Sequence, residues 1–170
     1  MKRPFVMLAS LALAATGICK APPPQQLDRA LVVPLALDEA FQFRKIKIFV
    51  NEPQRLQPTQ DAMISFERQR VNFGAVTQVD RLQRYGHYYT FFWRASRKAD
   101  LTVRFEYRQE KLGSYVQARE RFYPGAKGTV QSQFQVIGDD YLEEGKVTAW
   151  RALLIENGRI VGVTQSFLWN

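Results

Sequence analysis

The side chains in this chain that could do chemistry are few and scattered. His87 is the single histidine among 170 residues. A histidine-based triad or a multi-histidine metal site would have to be built on it, yet neither Gly-x-Ser-x-Gly nor His-x-x-x-His surrounds it. Gly86-His87 reads instead as the close of a turn ahead of an aromatic strand. Cys19 is the only cysteine, so an intramolecular disulfide is excluded and zinc lacks its thiolates. The densest acids are Asp139, Asp140, Glu143 and Glu144, bracketed by Gly138 and Gly145. Oxygen ligands in a loop suit calcium, and these four are the candidate metal ligands. Their spacing is not that of alternating acids around a central glycine, and a solvated turn is the plainer reading. A pair of carboxylates for glycoside hydrolysis could stand here or elsewhere, but spacing alone does not set two acids across a cleft. No catalytic residue and no cofactor motif emerges.

Arginine is interleaved with aromatic residues from Arg81 to Arg121, and Arg104, Arg108, Arg119 and Arg121 form the candidate binding surface. Cationic grooves with stacking aromatics bind nucleic acid, but these arginines alternate outward as any half-exposed strand requires. The chain carries a formal charge of +8, and losing Lys2 and Arg3 with a leader still leaves it basic. Such a surface favours an anionic glycan, lipid or protein partner; nucleic acid is disfavoured by the reading of export below.

Lys2 and Arg3 precede an apolar run from Phe5 to Ala15, with no acid before Asp28. That is the charged start and apolar core of a secretory signal, too short and wrongly flanked for a spanning helix. Cys19 closes the run where bacterial lipoproteins carry their lipidated cysteine, a resemblance that implies a lipid anchor in the membrane. Ile18 stands where that pattern wants a small residue, and ordinary cleavage after Ala14 or Gly17 meets the small-residue requirement too. The two alternatives stay open. Both place the protein outside the cytoplasm, in the periplasm or at the outer membrane. The division expected is a signal over residues 1–19, a proline-rich tether and N-terminal segment over 20–43, and a β-domain over 44–170.

Beyond the tether, glycines at 74, 86, 113, 125, 128, 138, 145 and 158 punctuate strand-like runs, the pattern of a sandwich or barrel. Residues 27–43 are ambiguous, with a helical turn or two interrupted by Pro34. Ile46, Ile48 and Val50 alternate with Lys45 and Lys47 as a strand. Residues 62–73 and 76–81 are expected to be strands. Residues 88–95, apolar on both faces, predict a central strand. Leu101, Val103, Phe105 and Tyr107 alternate with Thr102, Arg104, Glu106 and Arg108, one face toward core and one toward solvent. Residues 115–123 and 129–137 continue the pattern, with Glu120 as an inward charge that suggests a bulge or an edge. Asn157-Gly158 is a two-residue hairpin turn. It sets Glu156 opposite Arg159, Leu154 opposite Val161, Ala152 opposite Val163 and Trp150 opposite Gln165. Trp150 then shares a core face with Ala152, Leu154, Val161, Val163 and Phe167.

The strand order, the closing Ser166-Phe167-Leu168-Trp169 and a tyrosine at corner position 141 resemble immunoglobulin-like and fibronectin-III-like sandwiches, without their cysteine pair. The segments Tyr88-Tyr89-Thr90-Phe91-Phe92-Trp93-Arg94-Ala95 and Ile137-Gly138-Asp139-Asp140-Tyr141-Leu142 are similar to exported Gram-negative bacterial proteins of unknown function. The resemblance implies an all-β, antiparallel two-sheet sandwich and carries no activity. The expected function is therefore a non-enzymatic binding or structural module of the cell envelope. The rival is an exported hydrolase acting on glycan or another envelope substrate through carboxylates. Cys19→Ala separates the two leaders: a lipidated chain is released from the membrane fraction by this substitution. A cleaved chain fractionates as before, with a mature start downstream of Cys19 on mass spectrometry.

Overall fold

The structure, a computed structural model, describes residues 22–52 and 61–169. The expected signal and its Cys19 lie outside the described residues. The chain runs β1 (Gln25–Leu27), β2 (Phe41–Asn51), α1 (Ala62–Asn72), α2 (Gln78–Leu82), β3 (Gly86–Gln109), β4 (Gln117–Ile137), α3 (Asp139–Glu144), β5 (Val147–Glu156) and β6 (Arg159–Gln165). Every pairing between these strands is antiparallel. The antiparallel β-architecture is as expected, but the described strands are joined in one sheet, ordered β1-β4-β3-β5-β6 with β2 also on β3.

One sheet suffices because two of its strands are long enough to serve twice. The runs at 88–95 and 101–108 are one strand of 24 residues, and those at 115–123 and 129–137 are one strand of 21. The first half of β3 pairs with β2, the second with β5, and β4 follows it throughout. Between the halves the β3–β4 register slips on either side of Ala99, and the Gly125 N–H bonds the Asp100 carboxylate at 2.6 Å. The ribbon bends there, so its apolar faces meet. The Phe105 ring lies 4.6 Å from Tyr89, 5.7 Å from Phe91 and 5.3 Å from Phe134, centroid to centroid. The core thus sits between two leaves of one folded sheet. The alternation of Leu101, Val103, Phe105 and Tyr107 is realised in full, all four buried in that core. Gln131, Gln133 and Gln135 face solvent opposite buried Phe134 and Val136. Ser132, also buried, accepts the Trp93 indole N–H at 2.8 Å.

Residues 25–38 are fastened to the sheet. Gln25, Gln26 and Leu27 pair with Glu120, Arg119 and Ala118 at one edge. The segment then crosses the outer face of the second leaf to the far edge, where Ile160 and Ala36 donate N–H bonds to the Pro34 and Ile160 carbonyls. Arg97 pins its end by bridging Asp38 and Glu156 over the Phe41 ring. The Asp38 carboxyl is held below the usual carboxylate range by the Ala40 N–H and then by Arg97.

Three local expectations are corrected. Where strands are expected over 62–73 and 76–81, the chain forms the helices α1 and α2. Asp61 caps α1 by accepting from Met63 and Ile64 N–H, and Thr77 with Asp80 forms a reciprocal capping box on α2. Residues 27–43 hold no helix. The final hairpin keeps its turn, with Asn157 and Gly158 both at positive φ, and its Glu156–Arg159 pair. One residue further a bulge shifts the register, placing Leu154 opposite Gly162 and Ala152 opposite Thr164. A Cβ on Gly162 would stand 3.0 Å from Leu154 Cδ1 and 3.1 Å from the Phe41 carbonyl, so the strand bulges where β2 crosses closely. Ala152, Leu154 and Val161 reach the core and Trp150 packs on Tyr89 and Phe91, while Val163 and Phe167 are exposed.

Phe105, which touches both leaves, sets the expectation for stability. Phe105→Ala should cost about 3–5 kcal/mol through lost burial and the cavity left behind. Val163→Ala, on the exposed side, should stay within about 0.5 kcal/mol. Urea midpoints measured on the two variants check the assignment.

Candidate binding surface

The four arginines expected to form one surface are divided by the fold. Cross-strand partners share a face, so Arg119, paired with Phe105, and Arg121, paired with Val103, stand on the core side. Arg119 reaches across the fold to the Gln135 carbonyl and the Asp140 carboxylate, and its guanidinium lies over the Tyr107 ring. Arg104 and Arg108 lie on the opposite face, which the sequence assigns to solvent. That assignment is corrected: the crossing segment and Trp169 cover it, leaving Arg104 at 7% and Glu106 at 1% exposure.

Under that cover the charges neutralise one another. Arg104 donates to Glu120 at 2.5 Å, lies 3.6 Å from Glu106, and caps the Leu31 carbonyl at 2.7 Å. Arg151 donates to the other Glu106 oxygen at 2.5 Å. Trp169 is held between two guanidinium groups, those of Arg108 at 4.7 Å and Arg151 at 4.9 Å. Glu120, the inward charge of the sequence, is thus answered by Arg104. The stripe is internal structure and offers no free cation to a ligand.

The acidic cluster is a helix. Asp139 accepts from Gln83 at 2.9 Å, Asp140 pairs with Arg119, and the Asp140 and Gly145 carbonyls are both held by Gln109 Nε2. Among the described residues no three His, Cys, Asp or Glu side chains are placed to hold a metal ion. His87 is buried, with Nδ1 3.1 Å from the Tyr89 hydroxyl and its ring against Tyr141. Burial pushes the Tyr89 and Tyr107 phenols up. A polar cleft of about 400 Å³ beside α3 has two carboxylates on its walls, Glu52 and Glu110. Glu52 accepts the Tyr141 hydroxyl at 2.9 Å, and Glu110 lies 3.9 Å from Lys146.

The surface that sequence reasoning missed lies where two helices were read as strands. Asn51, at the end of β2, donates to Asn72 Oδ1 and to the Arg84 carbonyl, tying the helical lobe to the sheet. Only Val71 of α1 is buried. Between α1 and the sheet runs an open groove of about 370 Å³. Its walls carry Ile46, Ile48, Phe49, Met63 and Ile64, with Lys47 and Arg70 also on it. Glu67, its one carboxylate, is paired with Arg70 at 2.8 Å. Tyr88 donates to the Arg84 carbonyl at one side; burial raises its phenol, and nearby Arg84 and Arg70 pull it back. The signals that could have found the lobe were Asp61 as an N-cap and the Thr77–Asp80 box.

Comparison of the chain with family models, with curated proteins and with solved structures found no match. The geometry therefore carries the functional reading, and the covered charge network supplies its structural test. Removing one partner of a buried ion pair leaves the other charge uncompensated. Glu106→Ala should accordingly cost about 3–5 kcal/mol in a urea titration. Arg94→Ala, exposed on β3, should change stability by less than about 0.5 kcal/mol.

Proposed function

We propose that this chain is a non-enzymatic binding module of an exported protein, and that it binds through the groove between α1 and β2. The carrying observation is the groove itself. Small-ligand and partner sites are concave and mostly apolar with a few placed polar groups, at volumes of roughly 300–1,000 Å³. The groove meets that description with an aliphatic and aromatic lining and two cations. The side chains around it remain exposed, Met63 at 61% and Ile48 at 47%. An apolar patch left open on a folded surface marks an interaction site more often than an accident of composition. The α1 helix gives the fold little else, since it buries one residue.

The hydrolase alternative has its best place in the polar cleft beside α3. There Glu52 is engaged by Tyr141 and Glu110 faces Lys146, so neither carboxylate is set as one of a matched acid and base pair. The groove is the stronger feature.

An anionic apolar dye, 1-anilinonaphthalene-8-sulfonate, tests the reading on the folded full chain. It should bind saturably, and Ile48→Glu or Ile64→Glu should weaken it about tenfold or more by placing a charge on the apolar lining. Leu168→Glu, on the exposed C-terminal turn, should leave it unchanged. Melting temperatures should match in all variants, because these side chains are exposed. Dye binding that ignores both groove substitutions overturns the proposal.

A further inference from the structure

The groove continues around α1 into a second apolar hollow between Phe66 and Phe73, with Arg70 lining both. Phe66 is 59% and Phe73 85% exposed. Phe66 stands outward on α1 and Phe73 at its C-terminal end, where the rings can enter a soft apolar medium without being enclosed. Charge is distributed to match. Residues 61–84 and β2 together hold seven cationic side chains against three carboxylates. All three carboxylates are used inside the lobe. Asp61 caps α1, Glu67 pairs with Arg70, and Asp80 accepts from the Val76 and Thr77 N–H groups. Lys45 and Lys47 project from the same face of β2, opposite Phe92 and Thr90. They are left to meet charge from outside.

We infer that the partner of this surface is an anionic lipid bilayer, with Met63, Phe66 and Phe73 entering the interface and Lys45 and Lys47 meeting the headgroups. The inference rests on the reading of the α1–β2 surface as the binding face. Exposed Met63 and Phe66 on α1 and Phe73 at its end, beside Lys45 and Lys47 on the neighbouring strand, combine the apolar and cationic groups that hold a protein at a membrane interface. Headgroup attraction adds with each cation near the surface and is screened by salt.

Sedimentation of the full chain with vesicles tests it. The chain should partition at least about tenfold better onto phosphatidylcholine vesicles containing phosphatidylglycerol than onto phosphatidylcholine alone, and added salt should erase the difference. Lys45→Glu with Lys47→Glu should remove the preference for the anionic vesicles. Phe66→Ser with Phe73→Ser should lower partitioning about tenfold onto both. All variants share the same N-terminal segment, so differences between them report the substitutions, and all four positions are exposed, so unchanged melting is expected. Partitioning equal onto both vesicle types, or indifferent to both double substitutions, overturns the inference. If the groove-dependent dye binding persists in that case, the binding face stands and its lipid partner falls; if the dye also fails, both fall.

Discussion

The bend in the β3–β4 ribbon is the constraint on which the rest of the structure depends. Each half of the ribbon has one apolar face, and each would be left wet if the ribbon ran straight. Folding at Ala99 and Gly125 turns those faces together, so Tyr89 and Phe91 from one half meet Phe105 from the other. The two halves of β3 then offer separate outer edges, one to β2 and one to β5. The start of β3 and the end of β4 are brought beside α3, where the Gly138 N–H bonds the Tyr85 carbonyl. The helical lobe is therefore indexed to the same strand as the core. Gly86 marks how tight that junction is: at φ 138°, a Cβ there would stand 2.2 Å from the Val136 carbonyl.

A folded sheet has two outer faces, and the protein treats them differently. On the second leaf the outer face carries alternating charge, Glu120, Arg104, Glu106 and Arg151, running across β4, β3 and β5. Burying such a row is costly unless every member is paired with good geometry. The pairing is met, and the Leu31 carbonyl and Trp169 complete it from the two ends of the described chain. On the first leaf the outer face is met by α1, which stays half-detached and keeps its groove. One outer face is sealed and the other is left open.

How much of this is legible in the sequence depends on the range over which each feature is determined. Strict alternation from Leu101 to Arg108 is a local pattern, and it places four core residues without help from elsewhere. The Asn157-Gly158 turn is local too, since it needs only two residues that accept positive φ. The register beyond it is not local. It turns on Gly162, whose missing side chain makes room for the Phe41 carbonyl more than a hundred residues away in sequence. Burial of Arg104 escapes the same way, because its cover includes Leu31, 73 positions upstream. The helical lobe escaped for another reason. Its apolar residues are not packed in a buried stripe, so the 3.6-residue period that announces a helix is weak there, and only the caps betray it.

That weak period is itself informative about function. A helix that earns its place by packing shows a stripe of apolar residues facing the core. In α1 that role falls to Val71 alone, while Met63, Ile64 and Phe66 are turned partly to solvent. Leaving large apolar surface in water forgoes roughly 25 cal/mol for each Å² that could have been buried. The sheet beneath does not need those side chains, because its own core is closed by the meeting of the two leaves. In the proposed reading, the apolar residues left exposed on a lobe tied to the sheet through Asn51 and Asn72 are the surface that a partner covers. The three carboxylates of the lobe are spent on its own caps and on Arg70, which leaves the balance of charge around the groove positive. Apolar contact and positive charge are thus concentrated at one face. Arg104, Arg108 and Arg119, which looked available in the sequence, are engaged within the fold.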